Sequence, residues 1–292
     1  MTRRAWLLFV VMCVLWGIPY LLIKVAVAEL SPPVVVLARC APAALVLLPI
    51  AAARGQLRQL RPHWRMVLAF ALLEITIPWF FLVDAERHLS SSLTGLLVSA
   101  VPLVAATASH LLGHDDRLDR TRLLGLLVGM AGLMVLLGLD LEGEWWAAAE
   151  LALVVVGYGT APLIASRRLS DVPSLAVIAA SLTLTSLVYL PFALANWPTR
   201  APSTKVFASL GLLVAACTVV AFLVFFALIA EAGPNRALVI TFINPAVAVL
   251  LGTLVLDEEL TATMLVAFPL ILVGCWLATR HSRERVPAVA EP

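Results

Sequence analysis

Apolar runs of about 18–24 residues recur along the chain, each ended by a short polar break, as spanning helices of about 20 residues require. The runs predict ten transmembrane helices, near residues 5–28, 34–53, 65–84, 92–113, 121–139, 145–166, 174–196, 205–230, 236–256 and 262–280. The longest polar break, Arg54 to Arg65, reads as a connecting loop, and no break is long enough for a soluble domain. The expected fold class is therefore an all-α integral membrane protein.

The first run needs one check. Arg3 and Arg4 precede it, and Ala26-Val27-Ala28 has the form of a signal-peptidase site. Yet the stretch from Ala5 to Ile23 exceeds the core of a signal peptide, about 7–15 residues, and Lys24 stands before the small-residue site. An uncleaved first helix is the expectation.

Composition strengthens the picture. Hydrophobic residues make up 62% of the 292 and charged residues only 13%, against about 25% charged in soluble domains. The net charge of +2 supplies neither a basic domain for nucleic acid nor an acidic tail. Cys13, Cys40, Cys217 and Cys275 each lie inside an apolar run and form no CxxC pair. They read as small buried apolar residues, not as disulfides or metal ligands.

Positive charge matters by position. With the N-terminus inside, ten spans return the C-terminus inside. The inner segments then carry fifteen Lys and Arg residues, among them Arg54, Arg58, Arg61, Arg65, Arg167 and Arg168. The outer loops carry three, Arg87, Arg200 and Lys205, and the bias predicts both termini to be cytoplasmic.

The two halves of the chain resemble each other at an offset of about 142 residues. Trp16-Gly17 pairs with Tyr158-Gly159, Pro49 with Pro191, Pro102 with Pro245, Asp115-Asp116 with Glu258-Glu259, and Gly132 with Gly274. Residues 5–139 and 145–280 are thus expected to form two five-helix repeats, with 281–292 as a cytoplasmic tail. Five is odd, so the second repeat is expected to be inverted, a common plan of secondary transporters with a midplane site between the halves.

Several motifs now come together. They are Leu15-Trp16-Gly17 with Lys24, Arg39 after Ser31-Pro32-Pro33, and Val98-Ser99-Ala100-Val101-Pro102-Leu103. The others are Gly125, Gly129 and Gly132, then Ile243-Asn244-Pro245-Ala246 and Leu256-Asp257-Glu258-Glu259-Leu260. In these the chain resembles the drug/metabolite transporter superfamily, EamA type, from about residue 5 to 280. Where that family often has Gly-Glu at the end of helix 4, this chain has Gly113-His114-Asp115-Asp116. The resemblance implies export of a small metabolite, amino acid-like or related. The inverted halves imply alternating access, and the expected drive is a proton gradient or exchange.

Candidate residues follow from cost. Glu74 lies near the middle of helix 3, where a carboxylate is expensive and usually faces the bundle interior. It could carry a coupling proton or bind a substrate ammonium, or it could pair structurally with Arg39 or Lys24. Arg39 could bind a substrate carboxylate with two parallel bonds, snorkel, or satisfy broken-helix carbonyls. Lys24, near the outer end of helix 1, reads as snorkelling. Trp16, Tyr20, Trp79 and Tyr158 could line a cavity, or serve as packing or an interfacial belt. Pro102 and Pro245 interrupt helices 4 and 9, and with Gly17 they are candidate hinges. Asn244 could bind substrate or form an interhelical hydrogen bond.

The glycine stripe on helix 5 permits close contact within the monomer or in a homodimer. His110, His114, Asp115 and Asp116 read as a solvated face rather than a metal site, and Glu258 and its neighbours as an outer interfacial cap. The implied partners are a small-molecule substrate, the lipid bilayer and a proton as candidate coupling ion. No cofactor and no nucleic acid are implied. No Walker-type GxxxxGK[ST] is present. An intramembrane enzyme would need clustered catalytic side chains, and the five histidines are scattered. A passive channel would need no Glu74.

Overall fold

The computed structural model describes residues 2–111, 120–140, 144–233 and 237–279. Gly113, His114, Asp115, Asp116 and the tail 281–292 lie outside the described residues. The described residues contain helices and no strand. Among the described residues eight helices are long and apolar enough to cross a membrane, and Val239–Val255 forms a shorter apolar helix. With water absent from the bilayer core, the backbone must bond within each segment, which is why so apolar a chain is helical.

The first run folds as α1 (Arg3–Gly17) and α2 (Pro19–Val27), and the second as α3 (Pro32–Ala53). Thr2 opens α1 by accepting from the Ala5 N–H at 3.0 Å. Gly55, with φ of 66°, turns the chain after α3. The stretch expected as a loop instead forms a 3-10 segment, Gln56–His63, that runs into α4 (Trp64–Ala71). A π-helical turn, Leu72–Thr76, joins α4 to α5 (Ile77–Ala85). Then come α6 (Ser91–Val98), α7 (Val101–Leu111), α8 (Arg120–Asp140), α9 (Trp145–Arg168) and α10 (Ser174–Ala195). A second π-turn, Ala215–Val220, joins α11 (Thr204–Val214) to α12 (Ala221–Ala232). A 3-10 segment, Leu238–Phe242, leads to α13 (Asn244–Val255), and α14 (Ala262–Thr279) closes the described chain.

Pro102 and Pro245 stand at the second position of α7 and α13, so they begin helical segments rather than bend helices from within. That position tolerates proline because its N–H would have no intrahelical partner. Side chains add to the backbone bonds at the break before α7. Ser99 Oγ donates to the Leu96 carbonyl at 2.5 Å, and Cys275 Sγ donates to the Ser99 carbonyl at 3.4 Å.

The helix contacts keep their pattern when the two halves of the chain are exchanged. α3 packs on α10, and α8 packs on α14. The contacts of α1 with α12 and of α7 with α9 answer those of α5 with α9 and of α1 with α13. The two π-turns stand at matching positions, and each carries a threonine, Thr76 and Thr218, 142 residues apart.

The glycine stripe of α8 is used inside the chain. A Cβ on Gly274 would meet the backbone N and Cα of Gly129, and one on Gly132 would lie 2.8 Å from Leu270 Cβ. Backbone cannot yield as a flexible side chain can. Gly274→Ala is therefore expected to cost about 1–3 kcal/mol, the usual range for overpacking. The thermal midpoint of the purified protein in detergent should fall; an unchanged midpoint would mean that α8 and α14 are not closely packed.

Candidate functional site

The site is built on α3, α5, α9 and the two π-turns. Arg39 on α3 is 6% exposed. Its Nε donates to Thr218 Oγ1 at 3.1 Å, and its Cζ lies 3.6 Å from the centroid of the Trp79 ring on α5. Thr218 Oγ1 donates in turn to the Leu213 carbonyl at 2.8 Å. Arg39 thus rests on an aromatic face and a hydroxyl, and no described carboxylate lies within 4.0 Å of it. A guanidinium over an aromatic face gains about 2 kcal/mol or more when desolvated. That offsets only part of the several kcal/mol lost in burying the ion.

Glu74 sits at the centre of the other π-turn. Its Oε2 is buried and has no hydrogen-bond partner. Such single-turn π bulges concentrate at functional sites, because the extra residue re-aims a side chain. Gly157 of α9 allows this turn to approach: a Cβ there would strike the Leu73 carbonyl and lie 2.8 Å from the Pro78 ring. Tyr158, next along α9, stands within electrostatic range of Glu74, Arg39 and Tyr20 and beside Trp79. Tyr20 and Trp79 are buried, at 8% and 6% exposure. The structure therefore brings together Glu74, Arg39, Tyr20, Trp79 and Tyr158. Neither Arg39 nor Lys24 forms an ion pair with Glu74 among the described residues.

Other candidates lie elsewhere. Trp16 packs against α12, with its ring 4.7 Å from that of Phe225 and 6.0 Å, edge-on, from that of Phe222. Asn244, in the amide orientation that satisfies both partners, donates to the carbonyls of Ile240 at 3.0 Å and Cys13 at 3.2 Å. It ties α13 to α1, the interhelical role. Gly17 lets α1 approach α13, since a Cβ there would meet Val247 and lie 3.1 Å from the Asn244 carbonyl. Lys24 does not snorkel: its Nζ donates to the carbonyls of Glu86 and Leu89, each at 2.7 Å. The four cysteines are free and buried. No group of three or more metal-ligating side chains forms among the described residues.

An open groove of about 990 Å³ runs beside the site between α3, α5 and α10, lined by Leu72, Thr76, Phe80 and Tyr189 among others. It holds none of the five clustered residues. Tyr189 Oη donates across it to the Thr76 carbonyl at 3.0 Å, and Thr76 Oγ1 shares a 2.8 Å hydrogen bond with Thr185 Oγ1. The groove is thus the outer side of the π-turn, and the charged cluster is its inner side.

The model of the EamA-like transporter family matches twice, over residues 3–138 and 145–280. The chain belongs to that family. Its relatives include YedA of Escherichia coli strain K12, an uncharacterized inner membrane transporter. It is 26% identical over 269 residues, covering 91% of this chain and 87% of YedA. YvbV of Bacillus subtilis, an uncharacterized transporter, is 24% identical over 299 residues, covering 99% and 95%. A chloroplastic WAT1-related protein of Arabidopsis thaliana is 26% identical over 283 residues, covering 90% of this chain and 66% of the plant protein. One crystal structure, 22% identical, shares the fold with a TM-score of 0.67, over 96% of this chain and 97% of the other. This EamA-like chain is a multi-pass protein of the cell membrane and a membrane transporter by family.

Residue spacing did not reveal Thr218 or Gly157. Thr218 had a usable signal: it stands at the repeat offset from Thr76, and it is a lone hydroxyl in the apolar stretch Ala215–Val220. Gly157 had none, because what it touches is a carbonyl some 80 residues away.

Proposed function

We propose that the protein is a secondary active transporter. It exports a small, amino acid-like metabolite by alternating access, driven by a proton gradient or by exchange. The observation that carries this reading is the pair of mutually unpaired groups at one site, the buried Arg39 and Glu74 with its buried, unpartnered Oε2, and Tyr158 close to both. A buried cation without a counter-ion is costly, and a bound carboxylate removes that cost through charge-assisted bonds. Glu74 then receives the ammonium of the same molecule, or a proton when the site is empty. Tyr20, Trp79 and Tyr158 supply the apolar walls of such a pocket.

The reading extends to topology. Ten helices form two inverted five-helix repeats, residues 5–139 and 145–280, with both termini cytoplasmic. Support comes from the exchange-invariant helix contacts, the matched π-turns and the Lys/Arg bias. Two such halves can exchange conformations at similar energy, which is the requirement for alternating access.

The test is transport by the protein reconstituted in liposomes with an imposed pH gradient, using amino acids and related solutes. Flux that follows the gradient and saturates supports the reading. Flux that neither saturates nor responds to the gradient would indicate a channel.

A further inference from the structure

A second buried polar cluster lies at the opposite end of α5 from Glu74, where α2, α5, α6 and α13 meet. Glu258 follows α13 and folds back over the N-terminus of α6. Its carboxylate accepts from the Ser91 N–H at 2.7 Å, the Ser92 N–H at 2.9 Å and Ser92 Oγ at 2.6 Å. The fold pays for this clasp in backbone strain, since Asp257 has φ of 52°, the one positive value among described non-glycine residues. Gly252 makes room: a Cβ there would strike Glu258 Oε2 and Ser92 Oγ. α13 and α6 are thereby fastened together.

Glu86 lies behind the clasp. It is fully buried, and neither carboxyl oxygen has a hydrogen-bond partner. Ser91 Oγ and Thr94 Oγ1, at the start of α6, are likewise buried and unpartnered. Lys24 from α2 spends two of its protons on the backbone carbonyls of Glu86 and Leu89 and makes no ion pair with the Glu86 carboxyl. The charged and titratable groups that face Glu86 are Lys24, Glu258, Arg39 and Tyr20. Both Glu258 oxygens are taken up by the three donors at Ser91 and Ser92, so the clasp leaves no partner there for the Glu86 carboxyl.

We propose that Glu86 is a proton-binding site that controls a gate between α6 and α13. The gate closes with the proton on the Glu86 carboxyl. It opens when that proton leaves and water reaches the carboxylate. This rests on the alternating-access reading but not on Glu74 or on any substrate.

The direction of the pH response follows from burial. Desolvation holds the Glu86 carboxyl well above the usual carboxylate range in the closed form, against the smaller opposing effect of Lys24. In an open, hydrated gate it returns towards about 4.3. The closed form therefore binds the proton more tightly. It is fully favoured below the open-form value and is lost as pH rises through the closed-form value.

The experiment is a spin-label distance measurement across the gate, with labels at His88 and Leu260 in a chain whose four cysteines are replaced, reconstituted in nanodiscs without substrate. The expected result is one short distance at acid pH and a longer one that grows in as pH rises. Glu86→Gln, which cannot ionise, should show only the short distance throughout. Glu86→Asp should keep the transition, which guards against a merely misfolded Gln variant. The proposal is overturned if the wild type shows no pH-dependent distance change. It is also overturned if Glu86→Gln opens like the wild type, or if sodium rather than pH sets the distance. Gradient-driven transport that persists in Glu74 variants, with this distance change intact, would count against the transport site and not the gate.

Discussion

Glu74→Gln is expected to abolish transport driven by a pH gradient while leaving substrate-for-substrate exchange partly intact. Gln keeps the volume and the hydrogen-bonding oxygen of the side chain but cannot take up or release a proton. Glu74 is set on a π-turn, and its Oε2 is buried without a partner. The substitution therefore removes no hydrogen bond from that oxygen and should leave the fold intact. The check is paired: gradient-driven uptake and counterflow in liposomes, with protein content measured in both. Equal loss of both fluxes at normal protein levels would assign Glu74 to substrate binding. Failure of the protein to accumulate would make it structural.

Arg39→Gln is expected to weaken binding of a carboxylate-bearing substrate by roughly 30-fold or more. Removing one partner of a buried, hydrogen-bonded charge pair costs about 2–5 kcal/mol, and each 1.4 kcal/mol is about tenfold in affinity. The sign for stability is opposite. Without substrate, the guanidinium is buried with only Thr218 and the Trp79 face for company, so its removal should leave the empty protein no less stable. Arg39→Lys should not restore binding, because an ammonium has neither the planar fork nor the stacking face. A thermal-shift titration reads both effects together. A ligand-dependent rise in midpoint lost in the variant, over an unchanged or raised ligand-free midpoint, is the expected pattern. A lowered ligand-free midpoint would make Arg39 a structural residue.

Much of the architecture was legible because the bilayer leaves few choices. The apolar runs located the spans closely: the one expected at 174–196 is observed as Ser174–Ala195, and the one at 205–230 as Thr204–Ala232. Pro102 and Pro245 marked the places where two helices restart. The π-turns were not legible, since neither Leu72–Thr76 nor Ala215–Val220 contains a proline or glycine. Packing accommodates the first of them: Gly157 leaves room for the Leu73 carbonyl, and the Tyr189 hydroxyl donates to the Thr76 carbonyl.

The site was legible in part for the same reason. A carboxylate and a guanidinium in apolar runs advertise themselves by their cost, so Glu74 and Arg39 were found. Their separation was not foreseeable, because pairing between α3 and the turn before α5 is a matter of side-chain direction. Trp16 shared a repeat position with Tyr158, yet it faces Phe225 while Tyr158 faces the charges. Sequence symmetry places residues at like depth and does not fix their neighbours. Glu86 escaped notice because it stands at a helix end, where an acid in the sequence reads as exposed.

The most direct measurement is a comparison of solutes inside and outside cells with and without the protein, followed by uptake of the identified solute into liposomes under an imposed pH gradient. The predicted result is a carboxylate-bearing solute depleted inside, enriched outside, and moved by the gradient through the wild type but not through Glu74→Gln. If no solute redistributes while the protein is correctly inserted, the transport reading of this site is contradicted.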